Sequence, residues 1–174
     1  VGGMKLALEV EKVKEIVDVE DSRVLPMPTL MSGQQCCFND VASCQKELLA
    51  FKDSKLLNLS GLSNTDLKLM YGVANLPQLS EYDDACTAMY RVIANLGSHL
   101  SKEGYHSEAI AFLEFGIEAG SDISRNFYTL ADEYARAARY NDIKKLIERA
   151  DKLNSPIKTS IVNKLNEQYQ NVLP

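Results

Sequence analysis

The chain has 174 residues, 45% of them apolar and 25% charged, with nine Gly, five Pro and no Trp; this excludes a low-complexity polymer or a disordered tail and suits one domain, or one with an appendage. A net charge of −5 opposes any sequence-independent hold on nucleic acid or an anionic membrane, both of which need a basic face. No run of about eighteen consecutive apolar residues is present to cross a bilayer.

In chain order, Leu6, Val10, Val13 and Val17 recur at spacings of four, three and four, which predicts an amphipathic helix from Lys5 to Val17. Pro26 and Pro28 exclude helix from Val24 to Leu30 and predict an extended surface segment, one able to lie in a groove as a built-in pseudo-ligand. Asn39 and Asp40 are placed to cap a helix to about Lys52 whose buried side is Val41, Cys44, Leu48, Leu49 and Phe51. A Leu-rich passage, Leu56 to Leu62, contains Gly61. Ser63 with Asp66 reads as a capping box opening a helix that stops near Gly72. Leu76-Pro77 reads as a break, and Ser80 with Glu81, Asp83 and Asp84 reads as the start of a helix running to Glu103.

The four thiols are Cys36, Cys37, Cys44 and Cys86. An adjacent pair makes a poor disulfide framework, which points to a reducing, cytoplasmic setting. There is no C-x-x-C, and His99 and His106 lie far from the Cys36 to Cys44 cluster, so no metal site is expected. No cofactor is expected either, because the chain carries no phosphate loop, G-x-G-x-x-G, G-x-S-x-G or H-E-x-x-H. An enzyme would require a pocket joining His106 to a carboxylate. The expectation is therefore no enzyme and no catalytic residue. Val1, followed by Gly2 and Gly3, stands where a Met would open a complete chain, so the sequence reads as a fragment or processed product.

The C-terminal half repeats, with a period of about 34 residues. At that displacement Ile93-Leu96-Gly97-Leu100 falls on Phe127-Leu130-Ala131-Tyr134, and Leu113 and Gly116 fall on Ile147 and Ala150. Each unit reads as a helical hairpin, about 88–121 and 124–156, with second helices from Ser107 to Ala119 and from Asn141 to Asn154. Small Gly97 and Ala131 leave room for a neighbouring backbone. Gly104 aligns better with Arg139 than with Ala138, so the second unit should lengthen its first helix by one residue and shorten its turn by one. A final helix, Ile157 to Tyr169, should close the stack.

These residues resemble the tetratricopeptide repeat. Ile93 and Phe127 stand in place of the usual Trp, Leu100 in place of Tyr, and Ile143 in place of a small Ala. The resemblance implies an all-α hairpin stack at 79–174, a concave groove lined by the first helix of each hairpin, and an irregular helical portion at 1–78 that packs on or caps it. By position, the groove candidates are Arg91, Ala94, Asn95, Ser98 and Lys102, then Arg125, Tyr128, Thr129, Asp132 and Arg136. The implied function is a non-enzymatic protein-interaction module that grips a peptide segment or a helix, with Tyr128 as aromatic anchor. Ala94 and Ser98 replace the Lys and Asn with which some members hold a terminal carboxylate, so that mode is disfavoured. The alternative is a tethering domain anchored by a membrane segment before Val1, or a self-associating homo-oligomer, with no peptide ligand. Neither reading has this segment itself touch nucleic acid or membrane.

Overall fold

The computed structural model describes residues 35–51 and 54–170, the side chains of residues 35–39 and 45 excepted. The predicted Lys5–Val17 helix, the Val24–Leu30 segment and the side chains of Cys36 and Cys37 lie outside the described residues. Among those described, every regular element is helical: α1 (Gln35–Ala50), α2 (Asn64–Tyr71), α3 (Leu76–Lys102), α4 (His106–Glu118), α5 (Ser124–Arg136), α6 (Tyr140–Ala150) and α7 (Lys158–Tyr169).

The apolar periodicity is used as read. In α3, Met89, Ile93, Leu96 and Leu100 are buried, and in α5, Phe127, Leu130, Ala131 and Tyr134 are buried. Short connections turn successive helices antiparallel, so α3 through α7 pack in sequence while α1 lies along α3. One core joins Val41, Cys44 and Leu48 of α1 to Met89, Ile93 and Leu96 of α3 and Phe112 of α4. A second joins Leu113 of α4 to Phe127, Leu130, Ile143, Ile161 and Leu165. Helix α4 thus feeds both cores from adjacent positions. Each large side chain removed from water contributes roughly 1.5–3 kcal/mol.

Close approach depends on missing side chains. A methyl group on Gly97 would lie 2.5 Å from Leu113 Cγ and Cδ2, and one on Gly116 would lie 2.9 Å from Ile93 Cγ2. The α3–α4 hairpin therefore closes through two glycines, one on each helix.

The helix boundaries keep the period of the repeat. Helices α3 and α5 end at Lys102 and Arg136, α4 and α6 begin at His106 and Tyr140, and α5 and α7 begin at Ser124 and Lys158. The expected one-residue slip at the second turn does not occur. Gly104 (φ +86°) and Ala138 (φ +57°) hold the same left-handed position, and Tyr105 N–H to Leu100 O (2.9 Å) repeats as Arg139 N–H to Tyr134 O (2.8 Å). The slip suggested itself because Ala occupies a site where Gly is the ordinary choice; an L-residue there costs about 1–2 kcal/mol.

Three other boundaries differ from expectation. Helix α3 starts at Leu76 with Pro77 in its first turn, where an absent N–H costs nothing, so Leu76-Pro77 opens the helix instead of breaking it. Helix α1 starts at Gln35, which puts Asn39 and Asp40 inside it instead of at its cap, and Leu49 is 45% exposed. Helix α6 stops at Ala150, short of Asn154. The Ser63–Asp66 capping box and the Gly72 stop form as predicted.

The Leu-rich passage before α2 is a strap that buries Leu56 and Leu59 and is tied down by hydrogen bonds, including Leu57 N–H to Tyr82 O (3.3 Å). Leu59 N–H donates to Asp83 Oδ1 (2.8 Å), and Asn58 Nδ2 donates to Gly120 O (3.1 Å) at the α4–α5 turn. Gly61 passes so close to Asn154 that a methyl group there would lie 2.9 Å from its Cβ. The strap thus touches the turns after α4 and after α6. Asp83 belongs to it and not, as expected, to a helix N-terminus.

Candidate interaction face

Helix α3 is committed on three sides. Gly97 faces Leu113 of α4, Ser101 Oγ donates to Glu133 Oε1 of α5 (2.5 Å), and His99 Nδ1 lies 3.9 Å from Asp40 Oδ2 of α1. At about 100° per residue, Arg91, Asn95, Ser98 and Lys102 share the remaining direction. The same construction applies to α5, where Glu133 points back to α3 and Tyr128 points to α7. Arg125, Thr129, Asp132 and Arg136 then share the free side. Arg91, Lys102, Arg125, Asp132 and Arg136 are exposed, and Asn95, Ser98, Tyr128 and Thr129 are half-buried. Ala94 is 2% exposed and belongs to the core rather than the groove.

Some of these groups are already engaged. Arg125 Nη1 donates to Asn95 Oδ1 (2.7 Å), tying α5 to α3. Asp132 Oδ1 accepts from Tyr169 OH (2.6 Å) and Gln168 Nε2 (2.9 Å), which fastens α7 to α5. The Lys164 ammonium sits 4.0 Å from the Tyr128 ring centroid. Helix α7 thus covers one side of Tyr128 and extends the face by one helix. Arg91 and Lys102 make no ion pair with any described residue.

Several polar joints carry no periodic signal in the sequence. Glu133 is 1% exposed; besides Ser101, its carboxylate meets His106 Nδ1 at 2.8 Å and Arg136 Nε at 3.8 Å. The His106–Glu133 pair is at ion-pair distance without hydrogen-bond alignment. So His106 does meet a carboxylate, one sealed between helices, and the pair ties α4 to α5 while Ser101 ties in α3. Tyr134 OH donates to Glu114 Oε1 (2.6 Å) beneath the Arg139 guanidinium, 4.5 Å from the ring centroid. Burial, then the hydrogen bond to Glu114, holds the Tyr134 phenol well above the ordinary range. Burial, then Asp132, does the same to Tyr169. Hydrogen bonds from Lys145 and then Arg139 keep Asp142 below the usual carboxylate range. Burial, with Glu47 and Asp40 nearby, raises the Cys44 thiol, which makes it a poor nucleophile.

Among the described residues no group of three His, Cys, Asp or Glu could hold a metal ion, and no helix is long and apolar enough to cross a membrane. Fold and face together define an all-α stack of packed helices, compatible with a helical repeat. Compared with known proteins, the chain matches no family model, no curated protein and no solved structure.

Proposed function

We propose that the chain is a non-enzymatic protein–protein interaction module of tetratricopeptide-like type, holding a peptide segment or a helix against the free side of α3, α5 and α7. The observation that supports this most is the recurrence of the free side itself. Two helices whose ends lie one period apart each bury one face and leave half-buried polar side chains, Asn95, Ser98 and Thr129, on the other. Half-buried donors and acceptors on a rigid helix are what a bound backbone needs. A cytoplasmic setting belongs to the same proposal and draws on the buried thiol of Cys44.

The test is a selection from a random peptide display library on the full chain, repeated with Ser98→Trp/Thr129→Trp, which fills the face without entering the core. Selected peptides should bind the parent chain and lose at least about tenfold in affinity on the filled variant. Equal binding to both would remove the face as the site.

Self-association is the second reading, and one observation favours it. Leu69, Met70 and Val73 are 81%, 61% and 67% exposed within a single short stretch. Sedimentation of the chain across a wide concentration range decides it, and a monomer throughout would exclude it.

A further inference from the structure

The free side of α3 and α5 carries a charge pattern with the period of the repeat. Arg125 stands one period after Arg91, and Arg136 one period after Lys102. Along α3 the distance from Arg91 to Lys102 is about 16 Å of helix axis, and packed helices lie about 8–10 Å apart. The four cations therefore stand at the corners of an oblong, one row near each end.

Their compensation is partial. Arg139 and Arg149 reach carboxylates at 2.7 and 3.8 Å, and Arg136 lies 3.8 Å from Glu133. Arg91 and Arg125 reach none among the described residues, Arg125 having only the neutral amide of Asn95. The acid between the rows, Asp132, is turned toward α7 by Tyr169 and Gln168. In a chain of net charge −5, a face on which four cations recur, three of which (Arg91, Lys102 and Arg125) reach no carboxylate among the described residues, is complementary to a negative ligand.

We propose that this face binds an extended acidic peptide segment with two carboxylate clusters about five residues apart, since an extended chain advances about 3.3 Å per residue. The proposal rests on the peptide-binding reading above and names its ligand class. A segment is favoured over a nucleic acid for two reasons. Between the rows Asn95, Ser98 and Thr129 offer neutral donors and acceptors suited to backbone amides, beside Asp132, whose carboxylate is drawn to α7 by Tyr169 and Gln168. A polyanion long enough to run past the cations comes within a screening length, about 8 Å, of the acidic remainder of the chain and is repelled there.

Fluorescence anisotropy with the full chain tests it, using a labelled peptide with two Glu-Glu pairs about five residues apart and its Gln and Lys counterparts. The Glu peptide should bind at least about tenfold tighter than the Gln peptide and weaken as salt rises. Arg91→Glu/Arg125→Glu, with unchanged circular dichroism, should lose that advantage and accept the Lys peptide instead; Lys102→Glu should show a smaller loss. If the Gln peptide binds as well as the Glu peptide, the acidic preference is overturned while a peptide groove stands. If no peptide of any charge binds, both fall. Tighter binding of single-stranded DNA than of the Glu peptide would overturn the proposal in favour of a nucleic-acid face.

Discussion

The stack from α3 to α7, with α1 sharing its first core, and the stretch from the strap through α2 are attached to the same molecule by different physics. In the stack, large side chains enter two cores at helical spacing, and positions one period apart do matching work, as Gly104 and Ala138 show at the turns. Before α3, the strap buries only Leu56 and Leu59 and is otherwise held by single polar contacts, Asp83 to Leu59, Asn58 to Gly120 and Leu57 N–H to Tyr82 O, and α2 buries only Leu67. Stability should therefore be cooperative in the stack and local in the strap.

The largest blow to the stack is Gly97→Leu. Since even a methyl group would lie 2.5 Å from Leu113, overpacking should cost about 3 kcal/mol or more and lower the melting midpoint by several degrees. An unchanged midpoint would mean that α3 and α4 do not meet there. Next comes His106→Ala, which leaves the sealed Glu133 without its nearest basic neighbour. Half-exposure of the imidazole limits the loss to about 1–3 kcal/mol, read by urea titration, and Glu133→Gln in the same chain should recover part of it. Asp83→Ala, by contrast, should cost about 1 kcal/mol or slightly more. It should show as faster amide exchange at Leu59 with protection in α5 and α6 unchanged; loss of protection throughout would make strap and stack one cooperative unit.

The tyrosines give the pH arm. Tyr134 and Tyr169 have raised phenol values through burial and their carboxylate partners. Their contribution to stability is full below the unfolded value near 10 and is lost as pH climbs through the folded value. Midpoints measured from neutral to strongly alkaline pH should fall in the parent chain, and Tyr134→Phe should shallow that fall. The smallest effect is Leu69→Ser in the exposed part of α2, within about 0.5 kcal/mol in either direction.

Much of the stack is legible in the sequence because period and packing coincide. Ile93, Leu96, Gly97 and their equivalents in the next unit face inward where the pattern puts them. The turn after α5 is not legible, because Ala138 adopts a conformation that its side chain resists. The start of α3 is not either, since Pro77 ends helices in most settings and opens this one. For the face, the candidates come from the resemblance to the repeat, carried over by position, and one of them, Ala94, is buried in the core. The Ser101–Glu133–His106 joint stays hidden because its members come from three helices and no local spacing links them. The strap is hidden for a related reason: a side chain bonding to distant backbone leaves no periodic trace.

Helix α3 runs unbroken for 27 residues, and both regions are built on it. Its first turns carry Leu79, against which Leu67 of α2 packs, and its later turns carry Arg91 and Lys102. A helix of that length behaves as a rigid rod, so the knob formed by α2 stands about 18 Å along the axis from the first cation row, with no hinge between them. Whatever is held on the cationic face is held in fixed register with that knob, and α3 serves as the ruler that sets the distance.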